Sequence, residues 1–343
     1  MSPALIARLV KWVGYPLFGL FSFVVFLYVT FPYDKLKDRI EQQLSASGEM
    51  KVTIDELGPS PLFGLSAKRV LLVMTPKARS APPPGVPGAA KPEKPKPVRI
   101  LLDEVSGSVG LLAVLGGGTA VSFDVEGMGG TISGSYEAHK TKGWALSLEA
   151  ERLRLADLPA VQEFVGLPVK GALTAKIDLT VPKNQWPEAS GELSLECDGC
   201  AVGDGKAKLK VPGNPLLAMG ITLPRIRLGQ FGGQVKIEKG TATLENVSAK
   251  SPDIEVALEG TIALRQPLAF SNSQAYLKFK ISPELKRRDP KFELVENGLG
   301  QAKRPDGFFG MRLVGPLKTL RPVPSAAGPG TGPTKRQRPF RRF

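Results

Sequence analysis

The sequence predicts a mainly β protein in which an N-terminal transmembrane helix and a short amphipathic helix precede a long, curled antiparallel sheet. Three observations predict this fold class. Residues 12–31 carry no charge, residues 34–46 repeat apolar residues every four positions, and from Met50 onward short runs alternate apolar and polar residues. A period of two is typical of strands with one buried face, whereas a period near 3.6 indicates a helix.

The first element is predicted as an uncleaved membrane anchor over residues 12–31. At about 1.5 Å per residue, a helix of this length spans roughly 30 Å, the thickness of a bilayer's hydrocarbon core. Trp12, Tyr15, Tyr28 and Phe31 lie at its two borders, where aromatic residues favour the headgroup layers. A cleaved signal peptide is the alternative, but its apolar region is shorter and ends in small residues, and no Ala-x-Ala pattern follows this run.

Charges flanking the anchor predict its orientation. Arg8 and Lys11 precede it, and the positive-inside rule keeps such a short basic end in the cytoplasm. We therefore expect residues 1–11 to be cytoplasmic and the remainder of the chain to be translocated.

The net charge of +14 lies mostly outside the predicted folded body. Residues 1–31, the proline-rich stretch 76–97 and the tail 321–343 together hold 13 basic residues and one acidic residue, which leaves 33 basic against 31 acidic residues elsewhere. A nucleic-acid-binding protein concentrates positive charge on its folded surface, so this distribution argues against nucleic acid as a partner. The tail is predicted to be disordered and solvated, with docking to acidic lipid or protein as the alternative.

A short amphipathic helix follows the anchor. Leu36, Ile40 and Leu44 recur every four residues, Asp34 can cap the helix and Gly48 can end it. We expect this helix to pack over the open end of the sheet; a position on the membrane surface is the alternative.

The body from Met50 onward is predicted to consist of antiparallel hairpins. In residues 173–179, for example, apolar and polar side chains alternate strictly, and Gly, Asn or Asp turns recur about every ten residues. Beyond the amphipathic helix, residues 156–165 alone have a helical pattern. Residues 76–97 contain eight prolines and predict an exposed loop that is disordered or polyproline-like, and residues 282–305 predict a long surface loop in which one helical turn could form.

No constellation in the sequence predicts catalysis. The single histidine, His139, lies among polar residues and is predicted to be a solvated residue of a hairpin loop. Residues 115–118 are glycine-rich but lack the Lys-Ser/Thr pair that completes a phosphate-binding loop. We therefore expect a protein that is not an enzyme, with no catalytic residue, no cofactor and no metal site.

The two cysteines, Cys197 and Cys200, flank Asp198-Gly199, a favoured two-residue hairpin turn. Such a turn would place the cysteines opposite each other, about 5.5 Å apart at Cα, within reach of a disulfide. In a translocated domain we expect a structural disulfide. Free or metal-bound thiols and a redox-active pair are the alternatives.

Two stretches resemble known envelope proteins. The order of anchor, amphipathic helix and the run Pro61-Leu62-Phe63-Gly64-Leu65 resembles the opening of AsmA-like proteins. The stretch 213–264, closed by residues 308–325, is similar to the N component of type II secretion systems (GspN). The resemblance covers residues 10–320 without the proline-rich loop, and its motifs are glycines and alternating apolar residues of moderate specificity.

The resemblance implies a single-pass protein of the bacterial inner membrane whose residues 32–320 form a periplasmic β-rich domain with an AsmA-like groove or partial barrel. It further implies a non-enzymatic component of a type II secretion system. Its partners would be other subunits, in the inner-membrane platform or the secretin. The alternative is a lipid-binding or lipid-transfer protein of the envelope, because a curled sheet with an open apolar groove suits acyl chains. An exposed edge would suit a partner strand.

Overall fold

A computed structural model gives the fold of the chain. It describes residues 10–46, 50–60, 64–74, 97–110, 113, 116–158, 161–162, 165–209 and 221–328. The chain divides into two compact units, Met1–Val109 and Gly110–Phe343.

The first unit combines helices with a three-stranded meander. A π-helix, Val10–Gly14, precedes α1 (Tyr15–Thr30) and α2 (Tyr33–Ser45), and the strands are β1 (Met50–Ser60), β2 (Gly64–Met74) and β3 (Val98–Val109). β2 pairs antiparallel with β1 and with β3.

The second unit is mostly strand. Its strands are β4 (Gly118–Gly127), β5 (Gly130–His139), β6 (Gly143–Arg154), β7 (Val169–Pro182), β8 (Ser190–Val202), β9 (Lys208–Leu209), β10 (Ile221–Thr222), β11 (Ile226–Glu238), β12 (Thr241–Lys250), β13 (Ile254–Ala263), β14 (Asn272–Ile281), β15 (Phe309–Pro316) and β16 (Arg321–Pro324). Two short helices, α3 (Pro283–Arg288) and α4 (Lys291–Gly298), separate β14 from β15. Short 3-10 helices cover Leu155–Asp157, Trp186–Glu188, Leu268–Phe270, Gly300–Ala302 and Leu317–Thr319.

The fold is therefore mainly β, as the sequence predicts. In the first unit β1, β2 and β3 follow one another in an antiparallel meander, and in the second unit β4 to β8 and β11 to β16 follow one another in chain order in an antiparallel sheet, while β9 and β10 pair separately. Connections between consecutive strands are short for most pairs, which explains why local turn signals were sufficient to predict this topology.

The predicted membrane anchor is shorter than expected. α1 has 16 residues, about 24 Å at 1.5 Å per residue, because residues Val10–Gly14 form a π-helix and Pro16 lies in the first turn of α1. None of the helices within the described residues is long and apolar enough to cross a membrane. Several apolar side chains of α1 are nevertheless exposed, among them Phe18 and Phe21.

The amphipathic helix is confirmed, and it packs along β1 rather than over the open end of the sheet. Glu41 Oε1 accepts a hydrogen bond from the backbone N of Ile54 at 2.6 Å, and Ser45 Oγ accepts one from Val52 N at 3.1 Å. The side chains of Val52 and Ile54 are buried. α2 thus satisfies backbone donors along the edge of β1.

The predicted loop at 282–305 is wrong in its extent, because it contains both α3 and α4. Ser282 caps α3 by accepting a hydrogen bond from Leu285 N at 3.1 Å, and Pro283 occupies its first turn. Leu285 and Phe292 are buried together with Ile281. These two apolar side chains hold short, highly charged helices against the end of the sheet.

Three further predictions have mixed outcomes. Leu155–Asp157 forms a 3-10 helix, and helical residues follow at 161–162 and 165 within the described part of 156–165. The predicted tail begins with a paired strand, since Arg321–Pro324 forms β16 against β15. The proline-rich loop from 76 to 96, residues 1–9 and residues 329–343 lie outside the described residues.

A buried ion-pair network ties the β12–β13 connection to β11 and α3. Asp253 is fully buried, and its carboxylate accepts hydrogen bonds from Arg227 Nη2 at 2.8 Å and from Arg227 N at 2.9 Å. Arg288 Nη2 lies 2.8 Å from Asp253 Oδ2, the oxygen that also accepts the hydrogen bond from Arg227 N. Burial raises the pKa of Asp253, but the hydrogen bonds from Arg227 and Arg288 outweigh burial and hold that pKa well below its ordinary value.

Candidate functional site

The most distinctive surface of the second unit is a continuous row of apolar side chains across the sheet. Strand register places seven of them directly in line, separated only by Gly134, Gly260 and Ala275. We call this row the apolar stripe; it consists of Phe123, Leu148, Ile177, Leu193, Val235, Leu244 and Leu313. Because neighbouring strands are about 4.8 Å apart, the ten strands that carry the row extend it over roughly 43 Å along the sheet.

Parallel rows on either side widen the stripe. Leu146, Leu179 and Ile237 lie two residues along their strands on one side, and Leu195 and Leu258 lie on the other. Side chains two residues apart share one face of a strand, so all of these residues face the same way. The apolar area therefore extends along the strands as well as across them.

The stripe residues are only half-buried, unlike the corresponding residues of the first unit. In the first unit, the apolar residues of β1 to β3, such as Ile54, Val70 and Leu102, are buried. Large half-buried apolar surfaces are uncommon on soluble proteins and mark sites that bind an apolar partner.

Glycine at position 134 shapes the stripe at its β4–β5 end. A Cβ added there would lie 2.8 Å from Phe123 Cζ, so the ring of Phe123 packs directly on the backbone of β5. The ring lies low against the sheet, where a larger residue at position 134 would displace it. The surface beside it stays open.

The opposite face of the same strands is polar. One residue from each stripe position, the register brings Asp124, Glu149, Lys176, Gln234 and Glu245 into line, all of them exposed. Ser147 Oγ donates a hydrogen bond to Asp178 Oδ1 on this face at 2.7 Å. The sheet thus presents one apolar and one charged surface, which makes substitutions on the polar face natural controls.

The cysteines do not form the predicted hairpin. Asp198-Gly199 lies inside β8, which continues through to Val202 and pairs with β7 on one side and β11 on the other. The register shifts at Cys200 and at Lys170 show a bulge, and bulging brings the two Cα atoms to 5.8 Å. Cys197 and Cys200 are joined by a disulfide and buried beside Leu155 and Val169.

The disulfide depends on a glycine in the neighbouring strand. Gly171 has φ +134°, and a Cβ there would lie 2.9 Å from both Sγ atoms. We expect Gly171→Ala to lower the free energy of unfolding by about 3 kcal/mol, from backbone strain and from overpacking together. Denaturant titration of the full chain in neutral detergent measures it.

Gly199→Ala is the matched control for this prediction. Gly199 lies in the same bulge with φ +63°, but a Cβ there meets no atom within 4 Å. Gly199→Ala should lower the free energy of unfolding by only about 1 kcal/mol, the strain of a left-handed residue. Equal losses in the two variants would show that the disulfide does not constrain position 171.

His139 ends β5, next to the β5–β6 connection, and its Nδ1 lies 3.2 Å from Thr141 Oγ1. An open groove of about 470 Å³ lies here, lined by His139, Glu137, Lys142, Thr119 and Thr180 among mostly small residues. Within the described ranges, no group of three or more His, Cys, Asp or Glu residues could hold a metal ion.

Sequence reasoning missed two features. The first is the continuity of the apolar stripe. The period of two in each strand was visible in the sequence, but the register that aligns the strands was not. The Asp253 network joins residues 26 and more positions apart, and no local signal marks Asp253 within Ser251-Pro252-Asp253.

Comparisons with known proteins found no match to this chain among protein-family models, curated proteins or solved structures. The resemblance to AsmA-like proteins and to the N component of type II secretion systems therefore stays a prediction.

Proposed function

We propose that the protein is a non-enzymatic, membrane-attached lipid-binding protein of the bacterial cell envelope that holds acyl chains on the apolar stripe. One observation carries the proposal: a row of half-buried apolar side chains continues without a charged residue across ten strands of the second unit. Burying each methylene of an acyl chain against such a surface contributes about 0.8 kcal/mol.

The chemistry of the stripe favours acyl chains. Its residues are aliphatic apart from Phe123, and they present no hydrogen-bonding group to order a polar ligand. A flexible hydrocarbon chain needs only apolar contact, and it can follow the row from one strand to the next. Binding of this kind explains why the opposite face is charged, since only one face must stay free of water.

The edges of the sheet argue against a protein partner that binds by adding a strand. α2 covers the edge of β1 in the first unit by accepting hydrogen bonds from Val52 N and Ile54 N. In the second unit, Pro322 and Pro324 lack the backbone N–H groups that a strand at the edge of β16 would need. Edges of these two kinds resist further pairing.

Attachment to a membrane is supported by α1. Its exposed apolar side chains include Leu17, Phe18, Phe21 and Phe26, and no acidic or basic residue lies within it. Such a helix is stabilised when it lies in lipid. The cytoplasmic position of residues 1–11 and the periplasmic position of the sheet follow from Arg8 and Lys11 and stay predictions.

Site-specific photocrosslinking tests the lipid-binding face. A benzophenone amino acid at Leu193 should yield phospholipid adducts when cells expressing the full chain are irradiated, because Leu193 lies in the apolar stripe. The same amino acid at Ser194, the next residue on the polar face, should yield few. Mass spectrometry of the labelled peptides measures both, and equal lipid labelling at the two positions would contradict the proposal.

A charge placed in the stripe should displace the lipid. With the photoreactive residue at Leu244, we expect Val235→Asp, directly opposite on β11, to lower the lipid adduct about tenfold, because a carboxylate cannot be buried beneath an acyl chain. Gln234→Asp on the polar face is the matched control and should leave the adduct unchanged. Thermal unfolding of each variant separates displacement from misfolding.

A component of a type II secretion system is the second candidate, favoured by the resemblance of residues 10–320 to that family. An apolar sheet face can also bind a protein. Crosslinks from Leu193 to envelope proteins instead of phospholipid would support this candidate and overturn the first.

A further inference from the structure

One end of the sheet in the second unit is built from five strand connections. They join β5 to β6, β7 to β8, β11 to β12, β13 to β14, and β15 to β16, and in an antiparallel meander alternate connections lie at the same end. We call these connections the turn rim; they comprise residues 140–142, 183–189, 239–240, 264–271 and 317–320.

Four backbone hydrogen bonds link the five connections into one surface. Lys183 N donates to Lys142 O at 3.0 Å, and Gly240 N donates to Ala189 O at 2.9 Å. Leu264 N donates to Gly240 O at 2.8 Å, and Leu317 N donates to Ser271 O at 3.0 Å. Each connection is therefore fixed against the next, so their side chains form a continuous rim.

The turn rim is strongly basic. Every one of its connections carries at least one basic residue, and Glu188 is its only acidic residue. The basic residues are Lys140, Lys142, Lys183, Lys239, Arg265 and Lys318. All six are exposed, and none forms an ion pair with an acidic side chain among the described residues.

The connections that follow β4, β6, β8, β12 and β14 show no such bias. They carry ten basic and nine acidic residues. Several of those charges neutralise one another, as Lys286 does with Glu296 at 2.7 Å. Positive charge is thus concentrated on one set of connections and is not a general property of the turns.

Exposed apolar side chains project from the same rim. Leu268, Phe270 and Leu317 lie in two 3-10 helices that contact each other, and Phe270 is 52% exposed. Lys318 Nζ lies 6.0 Å from the centre of the Phe270 ring. Apolar tips surrounded by cations match a membrane surface, where aromatic and aliphatic groups enter the acyl boundary while lysines contact anionic headgroups.

We propose that the turn rim docks on an anionic membrane surface, with Leu268, Phe270 and Leu317 entering the headgroup layer. The occupant is a lipid bilayer, because a soluble polyanion would use the six cations but gain nothing from the exposed apolar tips. This inference goes beyond the proposed lipid binding and does not depend on it, since the turn rim and the apolar stripe share no residue.

Vesicle capture by the full chain tests the docking. The protein is placed in nanodiscs of phosphatidylcholine, which shield α1, and is mixed with labelled vesicles that contain 30% phosphatidylglycerol. We expect capture of these vesicles, little capture of pure phosphatidylcholine vesicles, and a decrease as ionic strength rises from 0.05 to 0.3 M. Equal capture of the two kinds of vesicle would overturn the proposal.

Two variants of equal charge locate the interaction. The rim variant combines Lys140→Gln, Lys183→Asn, Lys239→Asn and Lys318→Gln, with asparagine at the two positions of positive φ. Its capture should fall by about tenfold or more. The control variant, Lys170→Gln, Lys206→Gln, Lys250→Gln and Lys303→Gln, lies outside the rim and should retain capture. Equal losses would show that only net charge matters, which would overturn the proposal.

A third variant tests the apolar tips. Phe270→Ser should lower vesicle capture several-fold and leave binding to dextran sulfate, a soluble polyanion, unchanged. If Phe270→Ser has no effect on the vesicles, the rim binds polyanions in general and the membrane proposal fails. Photocrosslinking at Leu193 is unaffected by these outcomes, so the two proposals can fail separately.

Discussion

Replacing Asp253 with asparagine is expected to lower the free energy of unfolding by about 3 kcal/mol. The carboxylate is fully buried and receives hydrogen bonds from both Arg227 and Arg288. Asparagine offers one acceptor oxygen, and its amide donors would face guanidinium donors. This loss is at the lower end of the range for breaking a buried ion pair. Both arginine side chains are about half exposed, so water can solvate their guanidinium groups in the variant.

Denaturant titration of the full chain in neutral detergent measures this loss, with Asp178→Asn as the control. Asp178 is exposed and accepts one hydrogen bond from Ser147 Oγ, so its replacement should cost less than about 1 kcal/mol. Similar losses in the two variants would show that the buried network does not stabilise the fold.

The same network predicts an acid dependence. Since the folded pKa of Asp253 lies below the unfolded value of about 3.9, its stabilisation is fully present above that pH and is lost as the pH falls toward the folded pKa. Wild type should therefore lose stability more steeply below about pH 4 than Asp253→Asn does. If the free energy of unfolding falls equally with pH in wild type and in Asp253→Asn, the Asp253 carboxylate is not ionised in the folded protein.

The sheet was predictable because its signals are local. Strands such as β7 alternate apolar and polar residues over most of their length, here from Leu173 to Val181, and the period of two predicts both the strand and its apolar face. The apolar stripe follows from the same pattern once the register between neighbouring strands is known. α3 and α4 were missed because they have six and eight residues, too few for a helical period to stand out among charges and prolines.

Asp198-Gly199 shows where a local signal fails. The dipeptide favours a two-residue hairpin, yet β7 and β11 pair with β8 on both sides of it, and these ladders hold the chain extended around a bulge. Turn propensity is a weak preference compared with two ladders of hydrogen bonds.

The turn rim has no local signal in the sequence. Its basic residues are spread over almost 180 residues, and only the strand order of the meander brings them to the same end of the sheet.

Replacing Tyr276 with alanine should cost about 3–5 kcal/mol of unfolding free energy. Tyr276 is fully buried on the polar side of β14, beneath the residues that follow β15. Its hydroxyl donates to Ser325 O at 3.1 Å and accepts from Arg304 Nη1 at 3.0 Å, and the Arg304 guanidinium lies 5.6 Å from the ring centre. A Cβ on Gly310 would overlap the hydroxyl, so glycine there makes room for the ring.

Two controls separate the ring from its hydroxyl. Tyr276→Phe keeps the packing and should cost about 1–2 kcal/mol, the value of hydrogen bonds lost at a buried site. Tyr136→Ala removes a tyrosine that is 38% exposed and should cost less than Tyr276→Ala. Because Ser325 follows β16 directly, Tyr276→Ala should also speed proteolysis after Arg321. Unchanged cleavage there would mean that Tyr276 does not hold β16, and with it the last connection of the turn rim, against the sheet.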